Sequence, residues 1–276
     1  MGPSAIQALL AQHNIAPNAV LGQNFLTDPR VVEYLMEAAG LTANDTVLEV
    51  GGGIGTITRA LAERAKRVVT VEKDKSLIPI LQQAVLAHAN VEVVEGDILQ
   101  PTTYSPPPIP YHLIGNPPYY LTGRLFRTFL EDPTRRPASI TVIIQKEVAE
   151  KITQKPPRMN LLALSVQIFG KPTLVRTIPR NAFWPEPGVQ SALLHVDVYK
   201  EPRVPEEQIK QLFGIAKNAF LHGRKQLKNT ISPDMLQKAG IDPTRRPQTL
   251  TLEEWRLLIN RGQTPVMRGL DKSESL

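Results

Sequence analysis

Between residues 46 and 145 the chain alternates short β-branched and apolar runs with longer stretches whose apolar positions recur at helical spacing. The runs predict strands over 46–50, 67–72, 91–95, 111–115 and 139–145. Helical spacing predicts helices over 57–65, 77–89 and 125–131. Stretches such as Val-Val-Thr-Val and Ile-Thr-Val-Ile-Ile lack polar alternation, as expected of strands covered on both faces. This is the pattern of a doubly wound α/β sheet, Rossmann-like in its order of elements.

Further on, a helix near 160–169 and strand-like segments at 173–178 and 192–198 are expected to finish the sheet as an antiparallel pair. Pro202 and Pro205 then break the chain. Helices over 206–221, 225–230 and 252–261 predict a small C-terminal all-helical domain. The expected division is residues 1–200, 201–262, and a polar tail over 263–276 without structure of its own. Pro106, Pro107, Pro108 and Pro110 mark a stiff loop before the fourth strand, and the chain contains no internal repeat.

Composition narrows the chemistry. With 42% hydrophobic and 21% charged residues among 276, the chain can bury a real core. It has no cysteine, which excludes disulfides, thiolate nucleophiles and Cys-ligated metal. His13, His88, His112, His195 and His222 have no metal-binding spacing, so no metal site is expected. The first residues lack a secretory leader or acylation pattern, and no apolar run approaches the roughly 18 residues of a membrane span. A cytoplasmic protein, or one inside an organelle, is expected. The net charge of +6 is uneven: residues 201–276 hold 13 Lys and Arg against 9 acids, the first 200 only 19 against 17. Between Glu207 and Asp234 there is no acid, while Lys210, Lys217, Arg224, Lys225 and Lys228 fall there. Either a solvated helix face or a surface for a polyanion explains this.

The first strand runs into the turn as Glu49-Val50-Gly51-Gly52-Gly53-Ile54-Gly55. Glycines at alternate positions allow a tight turn and close approach of a ligand to the main chain. The third glycine of a dinucleotide fingerprint is missing in either register, which disfavours NAD. The second strand ends in Glu72, suited to accept hydrogen bonds from ribose hydroxyls, and Asp97 follows the third. Two acids at successive strand ends beside a Gly-rich turn resemble the nucleoside site of class I methyltransferases, whose cofactor is S-adenosylmethionine.

The fourth strand runs into Asn116-Pro117-Pro118-Tyr119. An adenine amine is a poor nucleophile because its lone pair is delocalised into the ring. Acceptors aimed at its N–H bonds localise that pair: the Asn116 side-chain oxygen and the Pro117 carbonyl, the latter held by ring-restricted φ. Tyr119 offers a face on which an extruded base can stack.

These features occur with Leu21-Gly22-Gln23-Asn24-Phe25-Leu26, Gln145-Lys146-Glu147-Val148-Ala149, the nine residues from Phe183-Trp184-Pro185 to Gln190-Ser191, and Phe220 with Arg224-Lys225-x-Leu227-x-Asn229. Together and in this order they resemble the small-subunit ribosomal RNA adenine dimethyltransferases over roughly residues 7–262. The resemblance implies cofactor contacts at Asn24, Leu26, Gly51, Glu72, Asp97 and Asn116. Target-adenine contacts fall at Asn116, Pro117 and Tyr119. The acid-free stretch, in the helical domain with which the family grips RNA, puts candidate RNA-binding cations at Lys217, Arg224, Lys225 and Lys228. The resemblance further implies a monomer that dimethylates two adjacent adenines in small-subunit ribosomal RNA or a pre-ribosomal particle. Two departures stand out: Pro117 replaces the usual Leu, Val or Thr, and Gly223 replaces the first Arg of a usual Arg-Arg-Lys run. A DNA adenine methyltransferase would share Asn-Pro-Pro-Tyr but gives no reason for the Leu-Gly-Gln-Asn-Phe-Leu segment. A non-catalytic assembly or transcription factor would not need Glu72, Asp97, Asn116 and Tyr119 intact.

Overall fold

A computed structural model of the chain describes residues 1–100, 104 and 107–260. The 263–276 tail and Pro106 of the proline-rich loop lie outside the described residues. The chain divides into two compact units, one of Met1–Gln154 with Leu162–Pro202, the other of Lys155–Leu161 with the chain from Arg203 onward.

In the first unit the order is α1 (Pro3–Gln12), β1 (Phe25–Leu26), α2 (Pro29–Ala39), β2 (Thr46–Val50), α3 (Thr56–Ala62), β3 (Arg67–Glu72), α4 (Ile78–Ala84), β4 (Val91–Glu95), β5 (His112–Gly115), α5 (Thr122–Leu130), β6 (Ser139–Gln145), α6 (Lys146–Thr153), α7 (Leu161–Gln167), β7 (Gly170–Ile178), β8 (Phe183–Trp184) and β9 (Ser191–Val198). Seven strands form one sheet in the order β4-β3-β2-β5-β6-β9-β7. The first five are parallel, and β9 inserts antiparallel between β6 and β7. Continuous burial along β3 and β6 follows from their unbroken apolar runs, which helices cover.

Two helices that the alternation from Thr46 onward did not include precede the sheet. In α2, Asp28 accepts from the Arg30 amide, Pro29 opens the first turn and Gly40 closes the last at φ 59°. These are ordinary start and stop signals. Its apolar stripe, Val31, Leu35 and Met36, packs on Ile57, Leu61, Ile143 and Leu193. Helix α1 buries Ile6 and Leu10 against Phe25, Ile54, Leu77 and Ile80. Each such burial is worth about 1.5–3 kcal/mol.

From β2 the chain proceeds outward to β3 and β4, then returns to build β5 and β6 on the other side. The loops leaving β2 and β5 therefore diverge, and the crevice of an open α/β sheet lies at that point.

The second unit contains α8 (Glu206–Leu221), α9 (Pro233–Ala239) and α10 (Leu252–Asn260). The helix expected over 225–230 is a single 3-10 turn, Leu227–Asn229, because Leu227 and Lys228 donate their amides to Arg245 and Pro243 rather than to a preceding turn. Its core gathers Leu212, Ala216, Leu236 and Trp255, with Phe220 and Trp255 ring centroids 5.4 Å apart. Among the described residues no helix is long and apolar enough to cross a membrane.

Candidate active site

Past Val50 the main chain turns out of the sheet through Gly51, Gly53 and Gly55 at φ 76°, 55° and 81°. Side chains resist this left-handed region, so glycine is required at all three. The turn delivers the Gly53 amide to Glu72 Oε2 at 2.8 Å, and the Asp74 amide reaches Oε1 at 2.8 Å. Burial raises the Glu72 pKa above the ordinary carboxylate value, and these two amides oppose the rise. Each oxygen keeps a lone pair for a further donor. Asp97 accepts from the Leu99 amide at 3.0 Å and meets Lys73 Nζ at 3.0 Å. Burial alone would raise its pKa, but the Leu99 amide and Lys73 hold it below the usual value.

Beneath the turn lies a carboxyl the sequence reading did not single out. Glu49, on β2, is fully buried and neither of its oxygens has a hydrogen-bond partner. Desolvation pushes its pKa up to about 7; the hydroxyls of Thr58 and Thr70 stand close enough to limit the rise, yet neither completes a hydrogen bond.

At the end of β5, Gly115 pairs with Val50 so closely that a Cβ would stand 2.5 Å from the Val50 carbonyl oxygen. That approach sets Asn116 beside the turn. Asn116 Nδ2 donates to the Asn24 carbonyl at 3.1 Å. A carbonyl can only accept, so the amide nitrogen must face it and Oδ1 must face away. The Tyr119 hydroxyl bonds Ser191 Oγ at 2.6 Å, and burial raises the Tyr119 pKa. Gly22, at φ 65°, brings the segment before β1 against Pro118, where an added Cβ would come within 3.1 Å of the proline ring. β1 in turn pairs antiparallel with β8, Phe25 opposite Trp184 and Leu26 opposite Phe183.

Motifs far apart in the chain thus converge on one cleft. Asn24, Leu26, Gly51, Glu72, Asp97 and Asn116 all line it. Pro117, buried, and Tyr119, half-buried, stand outside the lining, and Pro118 and Tyr120 take that wall instead. Gln23, Lys73 and Ile98 also line the cleft. Each is a chain neighbour of an expected site residue, and Gln23 also lies within the Leu21–Leu26 motif.

In the other unit, Lys217, Arg224, Lys225 and Lys228 are exposed, and among the described residues none enters an ion pair. Arg245 differs, being held in a forked pair with Glu254.

Comparison with known proteins gives a consistent picture. The family described as ribosomal RNA adenine dimethylase matches residues 15–263. A ribosomal RNA small subunit methyltransferase A of Dehalococcoides mccartyi is 38% identical over 250 residues, 86% of each chain. A protein of the same name from Alkaliphilus metalliredigens is 35% identical, over 94% of this chain and 96% of its own. Among solved structures, the 23S rRNA methyltransferase ErmE aligns with a TM-score of 0.69 at 30% identity, covering 86% of this chain and 99% of its own. A dimethyladenosine transferase from Plasmodium falciparum shares the fold, with a TM-score of 0.73 at 22% identity over 85% and 95% of the two chains.

Proposed function

Because the chain belongs to the ribosomal RNA adenine dimethylase family, we infer that it transfers methyl groups from S-adenosylmethionine to the N6 amines of two adjacent adenines in small-subunit ribosomal RNA. Relatives named ribosomal RNA small subunit methyltransferase A match most of this chain at 33–38% identity, which favours small-subunit RNA as substrate.

The cleft fits such a cofactor. Gly51 leaves bare main chain beside Glu72, where a Cβ would stand 4.0 Å from Oε2 and take up ligand space. Glu72 would accept from ribose hydroxyls, Asp97 from the adenine amine, and Ile98 would give an apolar wall for the ring. Asn24, Leu26 and Gly51 would complete the contacts through the loops that carry them. When bound, S-adenosylmethionine supplies an electrophilic methyl group on a sulfonium.

The observation that carries the reading is the orientation of Asn116. Its nitrogen is committed to the Asn24 carbonyl, so its oxygen is set to accept from a substrate amine at no cost of reorientation. An acceptor fixed before the reaction stabilises developing charge more than a mobile one. Pro117 would offer its carbonyl as second acceptor, and Tyr119, steadied through Ser191, would support the base. As the attacking nitrogen gains positive charge its proton becomes acidic, so no strong base is needed. Lys217, Arg224, Lys225 and Lys228 would bind RNA phosphates, being exposed cations without protein partners among the described residues.

The test is mass-spectrometric mapping of small-subunit RNA incubated with the protein and isotopically labelled S-adenosylmethionine. Label should appear as N6,N6-dimethyladenosine at two adjacent positions. Label confined to DNA, or absent from RNA while the cofactor binds, overturns the reading.

A further inference from the structure

We propose that Gln23 and Asp74 form a polar latch that holds the segment before β1 across the cofactor cleft, making Gln23 a positioning residue for methyl transfer. The proposal rests on reading the cleft as the S-adenosylmethionine site.

Gln23 Nε2 donates to Asp74 Oδ2 at 2.6 Å, while its Oε1 accepts the Asn18 amide at 2.7 Å. One side chain thus closes its own loop and ties that loop to the far side of the cleft. Asp74 is itself fixed. Its Oδ1 accepts from the Ser76 amide at 3.0 Å and hydroxyl at 2.6 Å, and its amide donates to Glu72. Beyond Gln23, the next residue presents its carbonyl to Asn116. A continuous line therefore runs from Glu72 through Asp74, Gln23 and Asn24 to Asn116. It joins the acid proposed to hold the cofactor ribose to the amide proposed to polarise the substrate.

Packing anchors only the two ends of this stretch, Ile15 on the core of α1 and Gly22 against Pro118. Between them Ala16, Asn18, Ala19 and Val20 are exposed, Val20 at 84%, so little apolar burial holds residues 16–20. A short hydrogen bond to a carboxylate is the strong kind, and here it replaces packing.

The chemistry allows an exchange test. Gln23→Glu alone opposes two carboxylates, and Asp74→Asn alone opposes two amides or gives up the bonds from Ser76. Together they restore every bond with the pair's polarity reversed. The carboxylate introduced at position 23 accepts from the Asn18 amide and from the side-chain amide introduced at position 74, whose oxygen still accepts from Ser76. Binding of S-adenosylmethionine by calorimetry and hydrogen exchange at amides 18–24 without cofactor should be read on all four proteins, with melting temperature as a control. Each single variant should weaken binding at least tenfold and speed exchange at 18–24, and the double variant should return both to within threefold of the parent. Singles within twofold of the parent, or singles that weaken without rescue in the double, overturn the latch. A parent protein that does not bind S-adenosylmethionine instead defeats the reading of the cleft, and the latch with it.

Discussion

Glu49 offers the sharpest quantitative test. Its carboxyl is sealed under the glycine turn, with a pKa pushed up to about 7 from 4.5. Replacing it with Gln keeps size and polarity but removes the titration. The folded-state pKa lies above the unfolded one, so the parent's relative stability is fully present below about pH 4.5. It is lost as the pH rises through about 7, where the carboxylate must ionise without a partner. At about 1.4 kcal/mol per pKa unit, the interval from 4.5 to about 7 corresponds to about 3 kcal/mol. Urea unfolding at 25 °C of both proteins from pH 4.5 to 8 measures this. The difference in unfolding free energy should move by about 3 kcal/mol in favour of Glu49→Gln, flattening above pH 7.5. A difference that does not vary with pH would refute the reasoning, since it means that Glu49 ionises in the folded chain as easily as in the unfolded one.

Three further outcomes follow from the site. Glu72→Ala removes an acceptor that also holds the Gly53 and Asp74 amides, and should weaken S-adenosylmethionine by tens-fold or more in calorimetry, about 1–3 kcal/mol for each buried donor left unpaired; unchanged affinity removes Glu72 from the site. Asn116→Ala should lower turnover by roughly 100-fold or more, the scale of losing an oriented transition-state partner, while RNA affinity by filter binding changes little; a normal rate contradicts the acceptor role. Replacing Arg224, Lys225 and Lys228 with Gln should flatten the slope of log RNA affinity on log salt by roughly 2–3 units, one counterion for each phosphate no longer neutralised. An unchanged slope would assign these exposed cations to solvent alone.

The parts of the structure legible beforehand were those whose signal is local. β2, β3, β4 and β6 coincide with their predicted runs: in β3 and β6 burial on both faces keeps the run nearly unbroken, whereas the edge strand β4, Val-Glu-Val-Val-Glu, is only half-buried and was legible from its β-branched residues. The long helix Glu206–Leu221 was equally plain from its period. Helix α2 carried its own signals in Asp28, Pro29 and Gly40, but lay outside the alternation used to find the sheet. β1 and β8 could not be read at all: two residues each, they exist only because Phe25 meets Trp184. The site divides in the same way. Glu72 and Asp97 were legible because strand order alone puts strand ends together. The Gln23–Asp74 and Tyr119–Ser191 bonds span 51 and 72 residues, and no local pattern encodes them.

The excursion Lys155–Leu161, which belongs with the helical unit although it leaves from between α6 and α7, bears on how such a protein can be recombined. Met159 is buried there and its amide donates to the Gln248 carbonyl at 3.1 Å, so the helical unit is assembled from two separate stretches of chain. A relative's helical unit transplanted by one splice near Pro202 would arrive without its matching excursion, leaving a carbonyl without its donor and a pocket without its methionine. Exchange between relatives should succeed only when both stretches travel together, so inheritance by single crossover would tend to preserve the pairing of a catalytic unit with its own helical unit.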